Sequence, residues 1–282
     1  MSIRVKNIIH LHGAVEENIS TERFENTMSI VTLITDFDTK DWYSAMLKGA
    51  ILRECPKVRL VDVTHQIPKY DLVRTATVLK GCWKAFPAGT IHVVTVNDLP
   101  KGATNFLLAK YENQYFICPD NGFLRLVFEK LPQEIYRIPT KGEASFPLIN
   151  TVASAVRECC DNPDLSYFGT LVSNITERMT LHPVVSSNQL RGSVFYIDAY
   201  ENVMVNIHRE LFDSVRKERE FEVYFRRNNP LTKIEDFYFD VPTGQPFCRF
   251  NSLNYLEIAV NMGKAASLYN LHVDDTIQID FL

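Results

Sequence analysis

Long apolar runs, paired cysteines, glycine-rich loops and an excess of positive charge are all missing from this 282-residue chain. No apolar run approaches the roughly 20 residues of a membrane-spanning helix, and residues 1–27 lack the apolar core of a signal peptide. The six cysteines show no CxxC spacing, which predicts neither a zinc site nor a disulfide framework and favours a reduced, cytoplasmic protein. The 11 glycines form no phosphate-binding motif, and a net charge of -4 gives no electrostatic footprint for nucleic acid or an anionic membrane.

Hydrophobic residues make up 46% of the chain, enough for one large domain or two ordinary ones. Up to about residue 180, strand patterns alternate with helical patterns, which predicts a parallel sheet with helical crossovers. From residue 181 the helical periodicity largely disappears and short strand patterns follow, which predicts a small all-β sandwich or barrel. The sequence therefore predicts an N-terminal extension at residues 1–27, an α/β domain at residues 28–180 and a β-domain at residues 181–282.

The chain is organised around residues 29–49, which predict a buried strand, a polar turn and a helix. The apolar, β-branched run from Ile30 to Ile34 is typical of a covered parallel strand. Asp36 and Asp41 follow it, before the helical stripe that begins at Trp42. Acids after the first strand of an open α/β sheet lie where such sheets bind ligands, but Asp also caps helices. From this stretch alone capping is favoured, and ligand binding stays open.

Isolated polar residues elsewhere are interpreted first as structural. His65 follows the second predicted strand and His92 lies inside the third, so a turn position and a core position are favoured over a catalytic base. The polar segments 198–202 and 250–254 lie beside predicted strands, where Asp and Asn are ordinary turn residues.

Six short motifs occur in order between Met28 and Leu282, and together they resemble the S-adenosylmethionine hydroxide adenosyltransferases, relatives of the fluorinase and chlorinase enzymes. The motifs are TDF-x-x-KD, VDVTH-x-IP-x-x-D, FP-x-GT-x-H-V, PDNG, ID-x-Y-x-N-x-x-x-NI and NS-x-x-YLEIAVNMG-x-AA. The resemblance implies a Rossmann-like N-terminal α/β domain joined to a C-terminal all-β barrel. It also implies a homotrimer in which each site lies between the N-terminal domain of one subunit and the C-terminal domain of a neighbour. The implied ligand is S-adenosylmethionine or adenosine, with no additional cofactor, and neither nucleic acid nor a membrane is an expected partner.

The resemblance also implies roles for residues around the ribose and the methionine. Asp36 matches the acid that holds both ribose hydroxyls, since a carboxylate accepts hydrogen bonds from both. Asp41 and Asp198 match groups near the methionine ammonium, where negative charge is favourable. Ser252 matches a methionine contact, and Tyr70 matches an aromatic residue beside the ribose and the sulfonium.

Another group of matching residues implies the adenine site. Tyr200 and Asn202 match the aromatic ring and the amide that stack on adenine and hydrogen-bond to its edge. Met262, within the backbone of Asn261–Gly263, would complete this site. Glu201 replaces a family glycine beside it, which predicts a different backbone there.

The residues that position and deprotonate water in hydrolytic family members are not retained. Those members have an Asp at the start of a DPGVGT-x-x-R-like stretch, where this chain has residues 96–105 with no arginine. Asn97 aligns with that Asp, and Asp98 is the alternative because the loop is one residue longer. Pro147 replaces the family histidine and Asn150 the final acid of the same motif, and neither side chain takes a proton as the original residues do.

The chemistry that the resemblance implies is displacement at the ribose C5′, with methionine leaving as a neutral thioether. With water as the nucleophile the products are adenosine and methionine, so the first hypothesis is a hydrolase with Asn97 or Asp98 at the catalytic position. A non-hydrolytic protein of the same fold that binds S-adenosylmethionine or adenosine is the alternative, because the water-activating set is lost. Transfer of the adenosyl group to another nucleophile is a third possibility.

Overall fold

The computed structural model describes residues 29–97, 105–140, 146–162, 164–179, 181–226 and 229–282. The strands are β1 Ile30–Thr35, β2 Arg59–Thr64, β3 Ile91–Thr95, β4 Phe106–Tyr111, β5 Gln114–Pro119, β6 Glu134–Ile138, β7 Thr170–Leu171, β8 Val184–Val185, β9 Gln189–Ile197, β10 Val203–His208, β11 Phe221–Tyr224, β12 Pro246–Phe250, β13 Tyr255–Val260 and β14 Thr276–Phe281. The helices are α1 Tyr43–Glu54, α2 Leu72–Cys82, α3 Phe123–Val127, α4 Leu148–Asp161, α5 Arg209–Arg216 and α6 Ala265–Tyr269. No helix in these residues has the length and apolar character needed to cross a membrane.

The N-terminal strands form one sheet in the order β2-β1-β3-β5-β4-β6-β7. The pairs β1–β2, β1–β3 and β3–β5 are parallel, and the pairs that involve β4 or β7 are antiparallel. Five strands therefore point the same way, and the sheet is mainly parallel as the sequence predicts. This direction brings the carboxyl ends of β1, β2 and β3 to one edge.

Helices cover both faces of this sheet. On one face, Leu47 and Ile51 of α1 pack with Val152 and Val156 of α4 against the sheet. On the other face, α2 and α3 pack against residues such as Val94. Because both faces are covered, the central strands are mainly apolar and buried on both sides, and they show no alternation of apolar and polar residues.

His92 lies at the centre of this sheet and confirms the core position predicted for it. Its side chain is fully buried, stacks on Phe116 with 5.0 Å between ring centroids, and hydrogen-bonds through its two ring nitrogens to Thr32 and Gln114 at 2.7 and 2.6 Å. Both nitrogens have partners because an unpaired polar atom in this core would cost roughly 1–3 kcal/mol.

The C-terminal strands form a curled antiparallel sheet in the order β11-β14-β9-β10-β13-β12, with β8 paired to β9. Residues 231–235 contact both ends of this order: Leu231 exchanges backbone hydrogen bonds with Val223 of β11, and Glu235 N donates to Cys248 O of β12 at 2.9 Å. The expectation of an all-β region is wrong in one respect, because α5 and α6 are part of it. Half of the residues of α5 are charged, and the helix packs on the sheet through Phe212, whose ring lies 5.1 Å from that of Phe221 between centroids.

Most predicted elements of the N-terminal region are confirmed. Helix α2 begins after Asp71, whose carboxylate caps it by accepting a hydrogen bond from Arg74 N at 2.9 Å. The division of the chain between residues 180 and 181 stays a prediction, and residues 1–28 and 180 lie outside the described residues.

Candidate functional site

The carboxyl edge of the parallel strands collects the polar residues of the N-terminal region. Thr35, the last residue of β1, is paired with Thr95 at the end of β3, and Ile34 is paired with Thr64 at the end of β2. The next residues along the three strands, which include Asp36 and His65, therefore leave the sheet side by side. This edge is where open α/β sheets place their ligands.

Asp36 is held by the segment that precedes α2. Its Oδ2 atom accepts a hydrogen bond from Tyr70 N at 3.1 Å, and its backbone oxygen accepts one from Lys69 Nζ. The residue is 7% exposed, and its Oδ1 atom accepts no hydrogen bond from the described residues. Tyr70 itself has a left-handed φ of 65° and is 63% exposed, so its ring stands in solvent beside the acid. One oxygen of the acid is thus fixed, and the other is available to a ligand.

The capping role favoured for Asp36 and Asp41 is wrong. Helix α1 begins at Tyr43 with Trp42 as its N-cap, and no side chain caps it. Asp36 is engaged with Tyr70 instead, and Asp41 is exposed with no side-chain hydrogen bond to the described residues. Both acids are therefore left for another task.

His65 holds the turn that carries Asp36 through contacts with the residues on either side of that acid. Its Nδ1 atom lies 2.9 Å from Thr35 Oγ1, and its backbone oxygen accepts from Asp38 N at 2.7 Å. Its Nε2 atom lies 3.2 Å from the Asp62 carboxylate, which also accepts from Lys48 at 2.6 Å. Partial burial opposes ionisation of Asp62, but the hydrogen bonds from Lys48 and His65 outweigh it and lower its pKa. The buried imidazole thus has a structural role, as predicted, and that role is to fix the turn that carries the acid.

Asn97 leaves β3 at the same edge, with a left-handed φ of 53°. The side chain of Asn121 holds this strand end, donating from Nδ2 to the backbone oxygens of Val96 at 3.0 Å and Asn97 at 2.9 Å. The next residue, Gly122, has a φ of 91°, a conformation that favours glycine. Asp98, the other predicted catalytic residue, lies outside the described residues. The PDNG motif is visible in the sequence, but no sequence pattern indicates that Asn121 holds the end of β3.

The beginning of α4 packs against the Asp36 turn. The ring of Phe146 lies 6.0 Å from that of Phe37 and 5.9 Å from that of Tyr43, measured between centroids. Pro147, which follows Phe146, is the N-cap of α4 and accepts a backbone hydrogen bond from Thr151 at 3.1 Å. The contacts of Phe146 therefore bring the neighbouring Pro147 close to the loop that follows Asp36.

A second group of predicted residues lies in the loop between β9 and β10. Asp198 Oδ1 accepts hydrogen bonds from the backbone of Tyr200 and Asn202, both at 2.8 Å, and its Oδ2 atom accepts from Asn202 Nδ2 at 3.0 Å. These contacts confirm that segment 198–202 is a tight turn. Asn202 is 4% exposed, whereas Tyr200 is 78% exposed and presents its ring to solvent.

Glu201 ties this turn to the beginning of α6. Its carboxylate accepts hydrogen bonds from Ser267 Oγ, from Ser267 N at 3.0 Å and from Lys264 Nζ at 2.9 Å. These hydrogen bonds lower the pKa of Glu201 to about 2. Its φ is 63°, so the backbone lies in the left-handed region that glycine enters easily, and the side chain is held by partners outside the turn. Met262, with φ 55° and 87% exposure, lies on the segment that leads into α6.

Ser252 lies in the turn between β12 and β13 and is exposed. The neighbouring Asn251 orders this turn, because its Oδ1 atom accepts from Leu253 N at 2.9 Å and Tyr255 N at 3.2 Å. The predicted turn is therefore confirmed, and Ser252 is free of side-chain hydrogen bonds to the described residues.

Arg74 connects the two groups of residues. It lies in the first turn of α2, four residues after Tyr70. Its guanidinium donates to Ile197 O at 3.2 Å and lies 4.5 Å from the centroid of the Tyr196 ring. Ile197 immediately precedes Asp198. No sequence pattern indicates this contact, because an arginine on a helix is ordinarily a solvated residue.

Comparison with known proteins identifies what this arrangement resembles. Residues 31–169 match the SAM hydroxide adenosyltransferase N-terminal domain, and residues 192–278 match the SAM hydroxide adenosyltransferase C-terminal domain. The chain is 26% identical over 270 aligned positions to an (R)-S-adenosyl-L-methionine hydrolase of Methanocaldococcus jannaschii, covering 90% of this chain and 97% of that protein.

A fluorinase of Actinoplanes sp. is 25% identical over 298 aligned positions, covering 90% of this chain and 98% of the fluorinase. Among solved structures, an uncharacterized conserved protein of Thermotoga maritima superposes with a TM-score of 0.78 at 27% identity, covering 89% of this chain and 99% of that one. The similarity thus extends over both sheets and both groups of candidate residues.

Proposed function

Because the chain belongs to the SAM hydroxide adenosyltransferase family, we propose that it is an S-adenosyl-L-methionine hydrolase that transfers the adenosyl group to water. The observation that carries the proposal is the Asp36 turn. An acid with one fixed and one available oxygen lies at the ligand-binding edge of the sheet, at the position that the family resemblance assigns to the ribose. Relatives that cover nearly the whole chain are named as hydrolases of this substrate.

The reaction needs little from the protein beyond placement. Water attacks C5′ in line with the C5′–sulfur bond, the bonding electron pair leaves with sulfur, and the sulfonium becomes neutral methionine. The attacking water loses one proton, and the products are adenosine, methionine and that proton. Because the leaving group is neutral, no separate cofactor is required, and the main contributions are alignment and removal of bulk water.

Each residue that the family resemblance assigns to the substrate has a task in this scheme. Asp36 accepts hydrogen bonds from the ribose hydroxyls, and Tyr70 places its ring beside the ribose and the sulfonium, whose positive charge an aromatic face attracts. Asp41, Asp198 and Ser252 hold the methionine end. The exposure of Asp41 and Ser252 supports this assignment, since neither side chain is occupied by the described residues.

The adenine lies against the second group of residues in this proposal. Tyr200 stacks on the base, Asn202 hydrogen-bonds to its edge, and the backbone around Met262 closes the site. Tyr200 and Met262 are 78% and 87% exposed, so both side chains are accessible to a ligand.

The described residues near the attacking water provide no side chain that can take its proton. The Asn97 amide positions a water but cannot take its proton, and Pro147 offers no polar group. A positioned general base contributes roughly 10²–10⁴-fold to such reactions, so we expect slow turnover unless Asp98 takes the proton.

We also propose that the active form is a homotrimer with each site shared between neighbouring subunits, and that the protein works in a reducing cytoplasm. Six free cysteines support the reducing compartment. The finer fold descriptions, a Rossmann-like N-terminal half and a closed C-terminal barrel, belong to the same proposal. They are supported by the parallel β1–β3 unit and by the bridges that residues 231–235 make to β11 and β12. Light scattering on the purified chain tests the trimer, and a monomer that cleaves substrate would contradict it.

The function is tested by incubating the purified full chain with S-adenosylmethionine in water enriched in oxygen-18. We expect adenosine and methionine in equal amounts, with the label in the 5′ hydroxyl of adenosine. Methionine released together with a 5′-substituted adenosine in place of labelled adenosine would mean that another nucleophile attacks C5′. No product above a buffer blank, at any enzyme concentration, would refute the proposed activity.

A further inference from the structure

Glu257 is a buried acid that the proposed reaction does not use. It lies in β13 within the apolar run YLEIAV and is 4% exposed. Its Oε1 atom accepts a hydrogen bond from Tyr238 Oη at 2.8 Å. Burial raises the pKa of Glu257, and the hydrogen bond from Tyr238 and the positive charge of Arg249 oppose that rise. A buried carboxyl group is costly to keep, so its position calls for an explanation.

The Tyr238 hydroxyl continues the network to the predicted adenine residue. Asn202 Nδ2 lies 3.2 Å from Tyr238 Oη. Because the hydroxyl proton is donated to Glu257, the Tyr238 oxygen is left as an acceptor, and it accepts from the Asn202 amide nitrogen. Tyr238 is also fixed as a ring, since it packs edge-on against Phe247 at 5.2 Å between centroids, and the Arg249 guanidinium lies 5.2 Å from its centroid.

Asp198 fixes the same amide from the other side. Its Oδ2 atom lies 3.0 Å from Asn202 Nδ2, and an ionised carboxylate only accepts hydrogen bonds, so the nitrogen of the amide must face it. Both protons of the Asn202 amide are then used, one by Asp198 and one by Tyr238. Asn202 Oδ1 accepts no hydrogen bond from the described residues. The group that Asn202 can offer to a ligand is therefore an acceptor.

We propose that Tyr238 and Glu257 are positioning residues that, with Asp198, turn the Asn202 amide so that its oxygen faces the nucleobase, and so select a base with an exocyclic amino group. This inference rests on the proposed function for the identity of the ligand. An exocyclic amino group on the base donates a hydrogen bond to Asn202 Oδ1. A carbonyl oxygen in place of that amino group would set two hydrogen-bond acceptors against each other. The amide cannot rotate to relieve this contact, because Asn202 Nδ2 would lose its hydrogen bonds to Asp198 and Tyr238 and gain none in return.

The test is to titrate the full chain with adenosine and with inosine by calorimetry. Inosine has a carbonyl oxygen where adenosine has the amino group. We expect adenosine to bind at least about tenfold more tightly, since a site built around a hydrogen bond rejects an analogue that cannot make it. In Tyr238→Phe we expect this preference to fall at least about threefold. In the double variant Asp198→Asn with Tyr238→Phe, in which the amide can rotate, we expect the two ligands to bind within about threefold of each other.

A matched control is available in Tyr224→Phe. This tyrosine also donates its hydroxyl proton to a glutamate, Glu222, but lies in β11 and takes no part in the network around Asn202. We expect the control to keep the full preference for adenosine. Thermal unfolding of each variant separates a change in selectivity from a loss of folding, because general damage to the site weakens both ligands alike.

The outcomes separate this inference from the proposed function. Cleavage of S-adenosylmethionine with equal binding of adenosine and inosine would overturn the inference and leave the function standing. A preference that survives unchanged in Tyr238→Phe would show that Tyr238 and Glu257 do not position the amide. Binding of neither nucleoside, together with no cleavage, would overturn both.

Discussion

Replacing Asp36 by asparagine tests the ribose contact with little disturbance of the fold. The asparagine oxygen can still accept the hydrogen bond from Tyr70 N, which spans 3.1 Å in the structure, so the turn keeps its internal partner. The other carboxylate oxygen is replaced by an NH2 group, which cannot accept a hydrogen bond from a ribose hydroxyl. A hydrogen bond to a charged group contributes about 1.5–3 kcal/mol, which corresponds to an affinity loss of about 10- to 150-fold.

The assay is the affinity for adenosine by calorimetry together with kcat and KM for S-adenosylmethionine. The ribose contact is made equally before and during the displacement, so we expect most of the loss in KM and little in kcat. Asp38→Asn is the control, because Asp38 lies two residues further along the same loop and its carboxylate binds only its neighbour Thr39 among the described residues. Unchanged affinity in Asp36→Asn, with normal thermal stability, would refute the assignment of Asp36 to the ribose.

Two further substitutions test other parts of the site. Asn97→Asp restores a proton acceptor beside the attacking water, and we expect kcat to rise about tenfold or more. The rise should stay below the full effect of a general base, because no arginine or histidine accompanies the new acid. Asn113→Asp, at a hairpin residue with a similar φ of 61°, is the control, and an equal rise of kcat in both variants would contradict the reasoning. Glu201→Gln removes the carboxylate that Lys264 and Ser267 hold, and thermal melts should show the variant less stable at neutral pH. Because the pKa of Glu201 is lowered to about 2 in the folded chain, the stability it contributes is present above its unfolded pKa and is lost as the pH falls towards about 2. The difference between variant and wild type should therefore shrink over that acid range, and a difference independent of pH would argue against the ion pair.

The elements that sequence analysis predicted are those whose burial leaves a continuous pattern. Strands β1 and β3 are covered on both faces and are mainly apolar, so each appears in the sequence as a nearly continuous apolar run. The strand β12 was missed because it begins with Pro246, which is unfavourable in a central strand but tolerated at an edge. Helix α5 was missed because it is short and half of its residues are charged, with Phe212 as its only buried residue.

Only part of the candidate site could be predicted from the sequence, and the reason is physical. Acids in a turn after a strand have an ordinary structural explanation, capping, and only the bounds of α1 show that it does not apply to Asp36. The positions of Arg74 and Tyr238 depend on contacts between segments far apart in the chain, and no local pattern encodes those. Glu257 did leave a signal, since an acid within a buried apolar strand requires a partner, but the sequence does not say which residue supplies it.

The contacts of residues 231–235 bear on how copies of the chain can associate. An uncovered edge strand offers a row of backbone hydrogen-bonding groups, and a second chain can extend the sheet by pairing with it. Here β11 and β12, the two ends of the curled sheet, are each met along part of their length by the chain's own residues, Leu231 at Val223 and Glu235 at Cys248. At these two points the backbone groups of the edge strands already have partners within the chain, so a second copy cannot pair with them there. The exposed, stacked rings of Phe237 and Phe239 lie nearby in the chain and offer a side-chain surface for association instead.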